Sequence, residues 1–435
     1  MTTAPDFERF IPGGVSSINR MIDPAVVFDR ALGAYLWDVS GRRFLDYHAA
    51  FAPYLLGHNF PPVNAAVSEA LQTGASLVGA GPSALEGNLA ELLCTHVGAV
   101  ETVTFGTTGS EAVALAIRLA RAITGKKHII LMQGGYNGNQ DEFACNVFNT
   151  LDEIGPRVSP GEYRLCPLGA GTTVESSRFA HVVNFNDLDS VDYVCRRYPV
   201  AAVIGEPVLQ NIGVVKPVPG YLEGLRERAD QYGFLHIIDE VKTGFRNSLG
   251  GYCAVAGLRP DLVVYGKAIA NGYPLSVLGG RREHMDFIAH RDVAKRPFHA
   301  GTYNGHPVSL AAAIRVVNYL AEHTGVVYPR LDLLTERLAD GMLAAFRRRG
   351  VAAVVTRQAS ALSFYLMDHE PRDFHDILEH HNFAKDLALR RALIHRGIFF
   401  VPVATKQLSV SAAHSQQDID LTIEQFDAAA TEVWR

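Results

Sequence analysis

The sequence predicts an α/β protein: a mostly parallel sheet covered by helices on both faces, joined to a smaller α+β unit built from the two ends of the chain. Two observations carry this. Four short apolar runs, HIILM (128–132), AAVIGEP (201–207), FLHIID (234–239) and DLVVYG (261–266), have the β-branched content of strands buried on both faces. Stretches of helical spacing lie between them, and alternating strands and helices make a parallel sheet.

The elements follow in order. Residues 26–47 alternate in the manner of strands around a Ser40-Gly41 turn and predict a hairpin-containing segment. In 110–123, Val113, Ala116, Ile117 and Ala120 recur at helical spacing, and a second helix near 220–232 precedes FLHIID. A long helical stretch, SLAAAIRVVNYLAEH, opens at 309, and 350–410 mixes short strands and helices. The expected division is an N-terminal arm and part of the small domain (1–60), a large ligand-binding domain (61–308) and a C-terminal small domain (309–435).

Composition narrows the function. The 435 residues carry 40 Lys+Arg against 45 Asp+Glu, a net charge of −5, without the basic excess of a nucleic-acid binder. No apolar run is long enough for a transmembrane helix, and the first residues lack the apolar stretch of a signal peptide. Five scattered cysteines without a C-x-x-C pair predict reduced thiols in a cytoplasmic protein. His375, His380 and His381 cluster in FHDILEHHNF, but no matching ligand pattern accompanies them and no metal is expected. No G-x-G-x-x-G follows a strand, so dinucleotide binding is not supported.

Four features fall at the ends of predicted elements, where open α/β sheets place their ligands. Thr107-Thr108-Gly109-Ser110-Glu111 precedes a helix whose N-terminal N–H groups suit a phosphate, and Thr108 with Glu111 also fits a capping box. Asp239, at the end of FLHIID, could keep a pyridine nitrogen protonated. Lys267, just past DLVVYG, is a candidate Schiff-base amine. Gly134-Gly135-Tyr136-Asn137-Gly138 offers an irregular turn and an aromatic face for stacking. Each alone also fits an ordinary cap, strand end or turn. Together they ask for an aromatic, phosphorylated, pyridine-containing aldehyde, which is pyridoxal 5'-phosphate.

Longer motifs then show a family likeness: IPGGVSS (11–17), LWDVSGRRFLDY (36–47), LLGHNFP (55–61), TTGSEAVALAIRLAR (107–121), GEPVLQNIGVV (205–215), IIDEVKTGFR (237–246), YGKAIANGYPLSVLGG (265–280) and AGTYNGHPVSLAAA (300–313). Over nearly its whole length the chain resembles the class III, fold-type I pyridoxal-phosphate-dependent aminotransferases, and within them the glutamate-1-semialdehyde 2,1-aminomutase branch. The resemblance implies that Lys267 links to the cofactor as a Schiff base and shuttles the proton, while Asp239 pairs with the pyridinium nitrogen. It places Val241 and Tyr136 on the two ring faces, Gly109 and Ser110 at the phosphate, Asn211 near the ring oxygen and Glu206 along the site. It sends Thr302 to the phosphate of a neighbouring subunit, hence a homodimer. For substrate it implies Arg20 at a carboxylate and Phe51 where the aminomutase branch has tryptophan.

Two departures stand out. Asn137 replaces the family's histidine, removing a titratable group. Lys406 stands where the aminomutase branch carries a glutamate, and so favours an acidic substrate group over an amino group. Both favour transfer between a carboxylate-bearing amino acid and an oxo acceptor. Intramolecular transfer, racemisation or epimerisation, and decarboxylation remain alternatives on the same scaffold.

Overall fold

The computed structural model describes residues 7–75 and 81–435. Fourteen strands are present among them, numbered in chain order: β1 (Phe28–Leu32), β2 (Tyr35–Asp38), β3 (Arg43–Asp46), β4 (Thr102–Gly106), β5 (His128–Met132), β6 (Ala180–Val183), β7 (Val200–Gly205), β8 (Leu235–Glu240), β9 (Leu262–Tyr265), β10 (Ser276–Gly280), β11 (Val354–Gln358), β12 (Ala361–Tyr365), β13 (Ile398–Phe399) and β14 (Leu408–Ser409). Seven form the main sheet in the order β4-β10-β9-β8-β7-β5-β6. Within it β10 runs antiparallel to both of its neighbours, and the other pairings are parallel. The four apolar runs are therefore β5, β7, β8 and β9, and β5 and β7 to β9 are buried nearly throughout because helices cover both faces.

This topology places the site. Strands β4, β5, β7, β8 and β9 all point the same way, so the segments that leave them meet along one edge. Those segments begin at Thr107, Gln133, Glu206, Val241 and Gly266. The helix after β4 spans Gly109–Thr124 and lays Ala112, Ala116 and Ala120 on the sheet, with Val113, Ile117 and Leu119 filling the remaining space. Small residues at i, i+4 and i+8 let the helix approach closely, and Gly125 ends it in the left-handed conformation at φ 69°.

The ends of the chain meet in a second sheet, β1-β2-β3-β13, where Leu45 and Asp46 pair in parallel with Ile398 and Phe399. A third sheet, β11-β12-β14, is antiparallel. The helix Pro307–Glu322, predicted from residue 309, packs against the helices Pro61–Gln72 and Ala84–His96 and the turn Lys267–Ala270. No helix among the described residues is long and apolar enough to cross a membrane.

One segment departs from ordinary backbone. After β3, Ala49, Ala50, Phe51 and Ala52 all adopt positive φ (47°, 51°, 68° and 82°), a left-handed turn made without glycine. Each L-residue there costs roughly 1–2 kcal/mol, so the surroundings must hold the turn in place. Asp46 Oδ1 accepts from the N–H groups of His48 (2.8 Å) and Ala49 (3.1 Å), while His58 Nε2 meets Asp46 Oδ2 at 2.7 Å. The buried Arg246 guanidinium donates to Ala52 O at 2.5 Å. Asn271 bonds Leu56 N (2.9 Å) and Gly57 O (3.0 Å), fixing the following residues to the turn after Lys267.

Ala50 tests this account because it is exposed while Ala49 and Ala52 are buried. Ala50→Gly removes the left-handed penalty without losing a buried methyl, and should stabilise the fold by about 1 kcal/mol. Ala49→Gly and Ala52→Gly should gain less, because each also gives up buried apolar surface. Urea unfolding midpoints check the order; a destabilised Ala50→Gly variant contradicts the strain reading.

Candidate active site

The convergent segments enclose a cavity of about 270 Å³. Six of the residues singled out by sequence line it: Gly109, Ser110, Tyr136, Asp239, Val241 and Lys267. Asn137 lines it too, together with Pro53 beyond the left-handed turn and the run Gly272–Leu275.

At one end stands the helix Gly109–Thr124. Glu111 Oε2 accepts from the N–H groups of Thr107 (2.8 Å) and Thr108 (2.9 Å), and Thr108 Oγ1 accepts from Glu111 N at 3.3 Å. The capping box is therefore present; it does not use the amides of Gly109 and Ser110, and both residues line the cavity. The cap and the anion site are compatible uses of one helix end. A Cβ on Gly109 would lie 3.0 and 3.2 Å from the two Val241 methyl carbons, so glycine lets Val241 close over the helix start. Ser110 Oγ accepts from Asn139 N at 3.2 Å and remains able to donate.

At the other end lies Asp239, nearly inaccessible at the C-terminal end of β8. Its Oδ2 accepts from Asn137 Nδ2 at 2.7 Å and its Oδ1 from Val241 N at 3.0 Å. Burial, aided by the nearby Glu206 charge, pushes its pKa up to about 6 despite those bonds. Asn137, which the sequence marked only as a missing imidazole, thus orients this carboxylate. Lys267 begins a short 3-10 turn at φ 48°, and burial holds its amine below the ordinary lysine range, against the pull of Asp239 and Glu206.

Glu206 and Asn211 sit just behind Tyr136. Glu206 Oε1 accepts from Tyr136 N (3.1 Å) and Asn211 Nδ2 (2.8 Å), and Oε2 accepts from Gln210 N (3.0 Å). Two further buried lysines are tied to the same loop, behind the cavity lining. Lys242 Nζ donates to Gln210 O at 2.7 Å, and Lys406 Nζ donates to Asn211 O at 2.9 Å. Lys406 also lies 4.0 Å from the centre of the Phe148 ring, and burial lowers its pKa to about 7. Sequence reading missed Lys242, Arg246 and Asn271. All three lie inside IIDEVKTGFR or YGKAIANGYPLSVLGG, but only the folded chain shows what they hold.

Six sequence candidates are not among the residues that line the cavity: Glu206, Asn211 and Lys406, described above, and Phe51, Arg20 and Thr302. Phe51 is half-buried and packs edge-on against His48 with ring centres 4.2 Å apart; its neighbour Pro53 reaches the cavity. Arg20 is exposed in the turn Ile18–Arg20, and Thr302 is exposed after the loop 298–300.

Residues 17–359 match the family model described as aminotransferase class-III. The chain belongs to this family. Among solved structures it is similar to an omega-transaminase from Sphaerobacter thermophilus, at 29% identity over 98% of this chain and 95% of that one, with a TM-score of 0.88. It is also similar to a β-phenylalanine aminotransferase from Variovorax paradoxus, at 28% identity over 97% and 91% of the two chains, TM-score 0.81. A glutamate-1-semialdehyde-aminomutase from Pseudomonas aeruginosa PAO1, solved with PMP, shares the fold at 24% identity, 98% and 92% coverage and TM-score 0.85.

The cavity fits pyridoxal 5'-phosphate at every point its chemistry requires. An amine stands on one wall, free amides on another, a valine and a tyrosine line the space between, and a buried carboxylate has no cation bonded to it. That carboxylate gives a test in the cofactor-free protein. A carboxyl whose pKa is raised on folding costs stability fully above about pH 6, and the cost disappears as pH falls towards its unfolded value near 3.8. Asp239→Asn should therefore stabilise the cofactor-free protein on the order of 2 kcal/mol at pH 7.5, with the gain shrinking towards pH 4.5, while cofactor retention weakens. A stability gain independent of pH would remove the buried charge from the explanation.

Proposed function

We propose that the protein is a pyridoxal-phosphate-dependent aminotransferase that exchanges an amino group between a carboxylate-bearing amino acid and an oxo acceptor. The observation that carries this reading is Lys406: a buried amine held on Asn211 O, with Lys267 and Glu206 near enough to shift its pKa. Its ammonium form lacks a bonded counter-ion, and a substrate carboxylate would supply one and favour that form.

The bound cofactor supplies an electron sink for the substrate carbon. The chain's residues do the rest. Lys267, whose amine burial holds below the ordinary lysine range, would take the proton from the substrate carbon and return it. Asp239, held by Asn137 and the Val241 N–H, would keep a proton on the ring nitrogen. Val241 and Tyr136 would hold the ring, and the amides of Gly109 and Ser110 would hold the phosphate. Thr302, exposed on its own chain, serves the phosphate site of a second copy in a homodimer. Arg20 is exposed in this conformation, so Lys406 takes first place at the substrate carboxylate.

The second reading is intramolecular transfer in glutamate-1-semialdehyde, which the motif resemblance favours. That route passes through a diamino form whose second amino group would be repelled by a protonated Lys406 nearby, and on this count Lys406 weighs against it.

A panel of α-, β- and ω-amino acids, followed by the cofactor's absorption in single half-reactions, separates these. Carboxylated amines should bleach the holoenzyme, and Lys267→Ala should abolish turnover. Lys406→Met should raise KM for carboxylated donors at least tenfold, about 1.4 kcal/mol, while sparing amines without a carboxylate. Conversion of the semialdehyde to 5-aminolevulinate, with no response to the panel, would reverse the order of the two readings.

A further inference from the structure

The histidine-rich run at 375–381 comes apart in the folded chain. His375 is buried and its Nε2 meets Gly155 O at 3.1 Å, while His381 accepts from Leu366 N through Nδ1 and meets Asp386 through Nε2. His380 turns the other way, towards a residue outside the run. His369 Nε2 lies 3.1 Å from Asp376 Oδ1, and His380 Nδ1 lies 3.2 Å from that same oxygen. One ligand atom from each of His369, Asp376 and His380 falls within 4.8 Å of the others.

We propose that His369, Asp376 and His380 form a binding site for a borderline divalent cation of the zinc type, at the outer face of the helix Phe374–His380. In a tetrahedral site with bonds of about 2.0–2.1 Å, neighbouring ligand atoms stand roughly 3.3 Å apart. The two contacts to Asp376 already have that spacing. Asp376 is buried and fixed, since its Oδ2 accepts from Arg372 N at 2.9 Å. His369 is oriented from behind by Asp368 Oδ1, 2.7 Å from its Nδ1. That outer carboxylate leaves Nε2 to present a lone pair to the ion, the arrangement that metal-binding histidines use. Binding replaces the 3.0 Å contact between His380 Nδ1 and Asp376 O, and water fills the fourth position on the exposed side. Two imidazoles and one carboxylate select zinc, nickel or copper over calcium or magnesium.

The site is separate from the cofactor cavity, but its helix reaches inward. Phe374 and Leu378 line a cavity of about 470 Å³ beside Phe148 and Ile212. Phe374 also packs against Gly134, where a Cβ would come within 2.7 Å of it, two residues before Tyr136. A cation joining His369 to the helix therefore braces a wall that extends to the ring-facing tyrosine.

The test is calorimetric titration of the tag-free, chelator-treated holoenzyme with zinc. One equivalent should bind, magnesium should not compete, and zinc should slow amide exchange in 374–380. His369→Gln and His380→Gln change partly exposed side chains, so melting without zinc should stay at the wild-type value while affinity falls more than tenfold. Asp368→Asn should lower affinity about 10- to 100-fold, the usual cost of losing an outer partner. Unchanged affinity in His369→Gln, or equal competition by magnesium, overturns the proposal.

Discussion

The site is assembled around the carboxylate of Glu206. One oxygen ties the loop after β5, through Tyr136 N, to the side chain of Asn211 in the loop after β7; the other holds that second loop through Gln210 N. Every contact is a donor meeting an acceptor. A glutamine would present its own N–H groups to at least one of these donors, so only a group that purely accepts satisfies them all. The same charge stabilises the ammonium forms of Lys267, Lys242 and Lys406, which otherwise repel one another in a buried wall. Without Glu206 the two loops lose their tie and the lysines lose their shared counter-charge.

The two ends of the main sheet handle charge in opposite ways. At the start of β9, Asp261 is buried yet receives hydrogen bonds from Arg226 and His236 N, and these with His284 hold its pKa well below the carboxylate range. That charge is fully paired and contributes to stability. At the other edge the charges are mismatched: Asp239 is raised, Lys267, Lys242 and Lys406 are lowered, and Arg246 sits wholly buried among neutral partners. Such shifts gather where a ligand completes the pairing. The fold accepts an electrostatic cost at one edge and offsets it at the other.

What the sequence made legible follows from how local each signal is. The strands showed because burial on both faces writes an uninterrupted apolar run, and the helix Gly109–Thr124 showed because its apolar stripe and capping box are adjacent in the chain. Lys267 and Asp239 showed because each ends such a run. The left-handed turn at 49–52 did not: three alanines and a phenylalanine give no turn signal, and the groups that impose it lie at Asp46, His58 and Arg246. Asn137 could be read as a loss until the structure placed its amide on Asp239. His369 stayed invisible because its partners come from a helix that starts five residues later.

The proposed function rests most directly on the sign of the charge at residue 406. Two unit charges about 4 Å apart interact by roughly 4 kcal/mol at the dielectric typical of a partly buried site. Exchanging a glutamate for a lysine changes an attraction into a repulsion of that order for any substrate group fixed nearby, which exceeds the discrimination a hydrophobic pocket achieves through one methylene. The Lys406 ammonium already rests on the Asn211 carbonyl and the Phe148 ring, two weak partners that a carboxylate readily displaces. An approaching amino group offers it nothing. On the proposed reading, the charge of Lys406 discriminates between donors before shape enters, in favour of the anion.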